Sequence, residues 1–231
     1  MATLSLVATP IGNLEDITLR ALRVLKEADL VLCEDTRVTR KLLAHHGLRP
    51  PVQSFHEHST DAKLAHVLAL LSDDKKIALV TDAGTPGVSD PGAVLVRAVR
   101  AHLPEVHIEA IPGPSALTAF LSVAGLLQSD FLFLGFLPHK KGRVTLFKEM
   151  AISPHPVLFY ESPHRILRAL ESLSQYVDKD RQIVIGRELT KFYEEVHWGT
   201  ADELLAFFDN HTDKVKGEFV VMVLPKARIV T

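Results

Sequence analysis

The sequence predicts an α/β protein built from two domains, each a sheet with helices against it. Short apolar runs alternate with stretches of helical period, Gly/Pro-rich loops follow several of those runs, and the texture changes near residue 113. Residues 4–8 read as a buried strand stopped by Thr9-Pro10. Residues 14–29 carry apolar positions at helical spacing, with Asn13 or Asp16 available as cap. A strand over 30–33 and a helix over 36–46 follow, ended by Gly47. Residues 61–72 place Leu64, Val67, Leu68 and Leu71 on one helical face. A strand over 77–81 runs into the loop 82–92, then come a helix over 93–101 and a strand over 106–110. Such alternation favours a mostly parallel sheet.

Beyond Ile111-Pro112-Gly113-Pro114 a small-residue helix is expected over 115–127 and an aromatic strand over 131–136, then a basic turn, His139-Lys140-Lys141-Gly142-Arg143. Strands over 157–160, 182–185 and 219–224 and helices over 165–176 and 201–208 complete a second half with some antiparallel pairing. The expected domains are therefore 1–113 and 114–231.

With 231 residues, 47% hydrophobic and 23% charged, the chain can bury a core in each half. Ser5, Thr9 and Glu15 interrupt the opening segment, so no signal peptide is expected, and no run approaches the ~20 apolar residues of a membrane helix. Cys33 is the only cysteine, which fits a reducing, cytoplasmic setting. A net charge of −2 argues against indiscriminate nucleic-acid binding and confines any RNA contact to one surface.

Three loops in the first half end strands where α/β proteins bind ligands. One is Val7-Ala8-Thr9-Pro10-Ile11-Gly12-Asn13, which lacks the dinucleotide pattern G-x-G-x-x-G and so disfavours a nicotinamide-dependent dehydrogenase. The second, 81–92, holds three glycines and two prolines, more than a connector of ~2–6 residues needs. It puts Asp82 at a strand end, where a carboxylate can accept from a hydroxyl or ammonium; Asp82 or Ser89 can equally cap the next helix. The third, Ile111-Pro112-Gly113-Pro114-Ser115-Ala116, offers amides at a helix start. In the second half, Phe159-Tyr160-Glu161-Ser162-Pro163-His164-Arg165 and Gly186-Arg187-Glu188-Leu189-Thr190-Lys191 set charges beside strand ends, readable also as a solvated face.

The strings A-T-P-I-G-N-L-E-D-I-T-L-R-A-L, E-D-T-R-V-T-R-K-L-L, D-A-G-T-P-G-V-S-D-P-G, I-P-G-P-S-A, F-Y-E-S-P-H-R and G-R-E-L-T-K resemble the bacterial ribosomal RNA small-subunit methyltransferase I family over 3–224. That resemblance implies the tetrapyrrole-methylase fold, two α/β domains with S-adenosylmethionine in the cleft between them. It further implies 2′-O-methylation of a cytidine ribose in the decoding region of small-subunit ribosomal RNA, by a homodimer. Porphyrin-methylating relatives usually carry a glycine-richer first loop and G-D-P in the second, where this chain has Thr9-Pro10-Ile11-Gly12-Asn13 and Asp82-Ala83-Gly84-Thr85-Pro86.

By resemblance the cofactor is expected against Pro10, Asp82, Ala83, Gly84, Val88, Ser115 and Ala116, with Tyr160, Glu161, Gly217 and Glu218 from the second domain. On the acceptor side Glu188 and Lys191 rank first; Lys191 would need a lowered pKa to act as base, or could stabilise a developing alkoxide. Asp35 and Arg37 come next, then His56 in His56-Glu57-His58, a pair too small for a zinc site even with Cys33, so no metal is expected. For RNA phosphates the candidates are Lys140, Lys141 and Arg143 with Lys148, and the cluster Arg37, Arg40 and Lys41. Both clusters are small, so the assembled small ribosomal subunit is the expected partner. The remaining alternatives are a tetrapyrrole C-methyltransferase and a non-catalytic ribosome-binding protein of the same fold.

Overall fold

The computed structural model describes residues 1–56, 60–88 and 92–225. The chain divides into two compact units, Met1–Ser115 and Ala116–Thr231.

In the first unit the strands are β1 (Thr3–Val7), β2 (Leu30–Cys33), β3 (Val52–Ser54), β4 (Lys76–Leu79) and β5 (His107–Ile111). The helices are α1 (Leu19–Glu27), α2 (Thr36–His45), α3 (Asp61–Ser72) and α4 (Gly92–His102). The strands form one parallel sheet in the order β3-β2-β4-β1-β5. Alternation along each strand feeds two cores: Leu4, Leu32, Ile77 and Leu79 pack with Val67, Leu71, Leu95 and Val99, while Val7, Val31, Ala78 and Ile111 pack with Ala21, Leu25 and Leu43. The expected helix over 14–29 is shorter. Asn13 caps only a 3-10 turn, Leu14–Asp16, and α1 starts afresh after Thr18, whose hydroxyl accepts from the Ala21 amide at 3.0 Å. β3 was not expected from the sequence at all.

The second unit begins with α5 (Ala116–Val123) and continues through β6 (Leu132–Phe136), α6 (Arg143–Ile152), β7 (Val157–Glu161) and α7 (Ile166–Tyr176). It ends with β8 (Ile183–Arg187), β9 (Glu195–Gly199), α8 (Ala201–Asn210) and β10 (Phe219–Val223). The sheet order is β6-β7-β10-β8-β9, and only β6 and β7 pair in parallel. Antiparallel pairing thus dominates here. Phe159, Leu170, Leu173, Ile185, Phe208 and Val221 centre its core. α6 and β9 are additions to the expected elements.

Candidate functional site

Parallel pairing brings the carboxyl ends of all five strands of the first sheet to one edge: Val7 lies beside Ile111, Leu6 beside Leu79, and Cys33 beside Ser54. The loops that leave this edge are stapled to each other. Thr9 and Gly84 exchange backbone hydrogen bonds of 2.9 and 3.0 Å, and the buried Thr9 hydroxyl donates to the Thr81 carbonyl. Thr85 donates to the Pro114 carbonyl at 3.0 Å, tying the second loop to the third. Gly84 has φ +89°, which a side chain rarely adopts, and a Cβ on Gly113 would come within 3.0 Å of that of Ala8. Three short sequences thereby become one shaped body.

Pro10 and Gly84 are buried within that body, whereas Asp82, Ala83 and Val88 are exposed on it. Asp82 Oδ1 accepts from the Asp35 amide at 3.0 Å, joining a fourth loop to the edge. Asp35 caps α2 through the Arg37 amide and also grips the Arg37 guanidinium, with Nη2 at 2.6 Å. Those hydrogen bonds from Arg37, side chain first and amide second, pull the Asp35 carboxyl down to about 2. Arg37 is therefore engaged with Asp35 although its side chain is 88% exposed. Arg40 and Lys41 lie exposed on α2. His56 follows β3 at the same edge; Glu57, His58 and Ser89 lie outside the described residues. Cys33 is buried and outside any disulfide, and burial pushes its thiol up.

The second sheet also has a single site edge, fixed by register. Phe219 opposes both Glu161 and Arg187, Arg187 opposes Glu195, and Phe136 pairs with Tyr160. Carboxyl ends of β6, β7 and β8 consequently meet the amino end of β10. Tyr160, Glu161, Glu188, Lys191, Gly217, Glu218 and the basic turn all sit on this edge.

Two ion networks order it. Lys191 Nζ donates to Glu188 Oε1 at 2.7 Å and to Glu218 Oε2 at 2.9 Å, and the Glu218 amide donates to Glu188 Oε1 at 3.0 Å. Burial alone would raise the Glu188 pKa, but the bonds from Lys191 and the Glu218 amide outweigh it and hold the carboxyl low. For Lys191 burial would lower the pKa, and the two carboxylates outweigh it in the opposite direction. The direction of that shift runs against the lowered pKa that a general-base role for Lys191 would need. Gly217 makes the network possible: at φ +91° its absent Cβ would lie 2.3 Å from Glu188 Cδ.

The other network is buried. Glu161 has a fully buried side chain; Arg143 Nη2 stands 2.8 Å from Oε2 and Arg165 Nε 2.7 Å from Oε1, and the Ser162 amide donates to Oε1. The same guanidiniums donate to the Pro138 and Leu137 carbonyls. Glu161 thus positions the loops after β6 and β7. Arg143, counted from sequence among the phosphate contacts, turns inward, while Lys140 and Lys141 remain exposed. Tyr160 packs against Phe133 and Phe136, and burial pushes its phenol up.

Sequence reasoning passed over Thr9, Gly113 and Arg165 as individual residues. Each lies in a quoted loop, but its role is a contact across the fold, and only the four-residue spacing of Glu161 and Arg165 hinted at one. Among the described residues no group of three or more His, Cys, Asp or Glu could hold a metal, and no helix is long and apolar enough to cross a membrane.

Residues 3–205 match the family described as Tetrapyrrole (Corrin/Porphyrin) Methylases. A protein of Mesorhizobium japonicum named Ribosomal RNA small subunit methyltransferase I is 46% identical over 96% of this chain and 75% of its own length. Its namesake in Thermotoga maritima is 41% identical over 98% of this chain and 100% of its own. The chain belongs to the ribosomal RNA small subunit methyltransferase I family, within the tetrapyrrole methylases. Its fold is also that of the Thermus thermophilus uroporphyrin-III-C-methyltransferase, which superimposes with a TM-score of 0.66 over 96% of this chain and 94% of that one at 19% identity.

Proposed function

We propose that this chain transfers a methyl group from S-adenosylmethionine to a ribose 2′-hydroxyl of a cytidine in the decoding region of small-subunit ribosomal RNA. The observation that carries the reading is the 46% and 41% identity, along nearly the whole chain, to proteins named for methylating that RNA. The residues present fit the cofactor. The first sheet's edge offers loops tied together by the Thr9–Gly84 and Thr85–Pro114 bonds as a cradle, an exposed carboxylate at Asp82 for a ribose hydroxyl or ammonium, and exposed apolar Ala83 and Val88 beside it. In the first unit Pro10, Gly84 and Ser115 would shape that cradle; in the second unit the cofactor candidates that follow from the resemblance are Ala116, Tyr160, Gly217 and Glu218, and Glu161 there holds Arg143 and Arg165 in place.

Bound there, S-adenosylmethionine supplies an electrophilic methyl on a cationic sulfur. The protein's own task is to hold a weak nucleophile in line with it, and orientation accounts for much of the acceleration. Lys191, held charged, opposes the negative charge growing on the ribose oxygen. Of the two carboxylates around it Glu188 is tied down by two donors, which leaves the exposed Glu218 as the better proton acceptor. Lys140 and Lys141 supply phosphate contacts, with Arg40 and Lys41 on α2 as a second cluster. The substrate is the assembled small subunit, since the net charge of −2 gives little general attraction for naked RNA, and the working form, following the family resemblance, is a homodimer in the cytoplasm.

The test is incubation with labelled S-adenosylmethionine and small subunits that lack the modification. Label in the RNA is the expected result. Cofactor binding without label in RNA, but with label in a uroporphyrinogen or precorrin acceptor, would replace this reading with tetrapyrrole methylation.

A further inference from the structure

Lys191 is followed directly by two aromatic side chains that the fold does not bury. Phe192 is 93% exposed and Tyr193 67%. Their rings meet edge to face with centroids 5.0 Å apart, so each leaves a face open. An aromatic ring ordinarily hides some 150–250 Å² on folding, and these two forgo it.

The segment that presents them is nonetheless held firmly. Glu188 and Thr190 adopt φ of +51° and +64°, conformations that are costly for residues other than glycine. The buried Arg187 donates to the Tyr193 carbonyl at 3.3 Å and to the Lys216 carbonyl at 2.9 Å. Backbone bonds from Lys191 to Glu188 and from Glu194 to Lys191 close the turn. Strain and a buried guanidinium are thus committed to holding two rings in water, beside the Lys191 network and on the sheet edge that also carries the exposed Lys140 and Lys141. From β6 to β8 the edge spans three strand spacings, about 14 Å. Aromatic faces at one end of such a span, with ammonium groups at the other, match a short single-stranded RNA segment: bases stack on rings and phosphates meet lysines.

We infer that Phe192 and Tyr193 form a stacking platform for an unpaired nucleobase of the RNA acceptor, next to the nucleotide that is methylated. The platform rests on the reading of the chain as an RNA methyltransferase. It sets acceptor binding and leaves the cofactor cradle alone.

The test uses the full chain, its Phe192→Ala/Tyr193→Ala double variant and a Phe192→Trp/Tyr193→Trp variant. Methyl transfer to small subunits should show KM raised roughly 10-fold to 100-fold in the alanine variant, from stacking lost per base, and restored by tryptophan. Cofactor affinity by calorimetry should stay unchanged. In a second measurement, a single-stranded RNA oligonucleotide containing 2-aminopurine should be quenched on wild type and not on the alanine variant. Wild type that methylates while the alanine variant keeps its KM within twofold would overturn the platform and leave the methyltransferase reading intact. A change in sedimentation mass on alanine substitution would overturn it in favour of self-association through these rings. Oligonucleotide quenching without any transfer to subunits would keep the platform and sink the methylation.

Discussion

Replacing Glu161 by glutamine removes one charge and almost no volume, so it isolates the electrostatics of the buried network. The Glu161 side chain is wholly buried, and the side chains of Arg143 and Arg165 are only 13% and 15% exposed. The variant leaves two buried cations facing a neutral amide that can accept at a single oxygen. Removing one partner from a buried pair costs about 3–5 kcal/mol, because the remaining charge is stranded. The small exposure of both arginines lets water recover part of this, which places the expected loss near the lower end, about 3 kcal/mol. With a urea dependence of about 1–3 kcal/mol/M, the midpoint for the second unit should fall by roughly 1–3 M. Trp198, the only tryptophan, lies on β9 of that unit, so its fluorescence follows the relevant transition. A fall smaller than about 0.3 M would refute the claim that Glu161 is the anchor of the edge.

Other substitutions separate the remaining contacts. Asp82→Asn should weaken S-adenosylmethionine binding in calorimetry by about tenfold or more, the worth of one charge-assisted hydrogen bond, with little change in thermal stability. Gly217→Ala forces a side chain into φ +91° and against Glu188, and should cost about 1–2 kcal/mol for the backbone alone while releasing Lys191, seen as loss of both stability and turnover. The bond and charge of Lys191 help hold the Glu188 carboxyl low; in Lys191→Met only the Glu218 amide and Arg187 remain to oppose burial, and an NMR titration should show the midpoint move upward. In wild type that pairing stabilises the fold above the ordinary carboxylate range and is lost as pH falls through the lowered value, while the raised Lys191 pKa keeps its part until strongly alkaline pH. Asp35 should titrate near 2 and return toward 3.8 in Arg37→Ala.

Much of the fold was legible because its signals are local. The runs 30–33 and 61–72 match β2 and α3 to the residue, since capping by Thr60 and the apolar period both lie within the segment. β3 escaped because three half-buried residues after Pro50-Pro51 carry no period. α6 escaped because its N-cap is Gly142 at φ +84° with no side-chain cap, so the basic turn hid the start of a helix. β9, Glu-Val-His-Trp-Gly at a sheet edge, is too mixed to read as a strand. The helix expected over 14–29 ran too far because Ile17-Thr18 was read as part of the period, when Thr18 is the cap. Site residues were legible as loops, not as partners. Nothing local shows that Asp82 takes the Asp35 amide, 47 residues away, or that Arg143 leaves the basic run to meet Glu161.

The central claim is that the chain methylates a ribose hydroxyl of small-subunit RNA from S-adenosylmethionine. The most direct measurement is nucleoside mass spectrometry of that RNA after reaction of unmodified subunits with isotopically labelled cofactor. The account predicts a single labelled nucleoside, 2′-O-methylcytidine, that disappears with Asp82→Ala. Label on a base, or no labelled nucleoside from a protein that binds the cofactor, would contradict it.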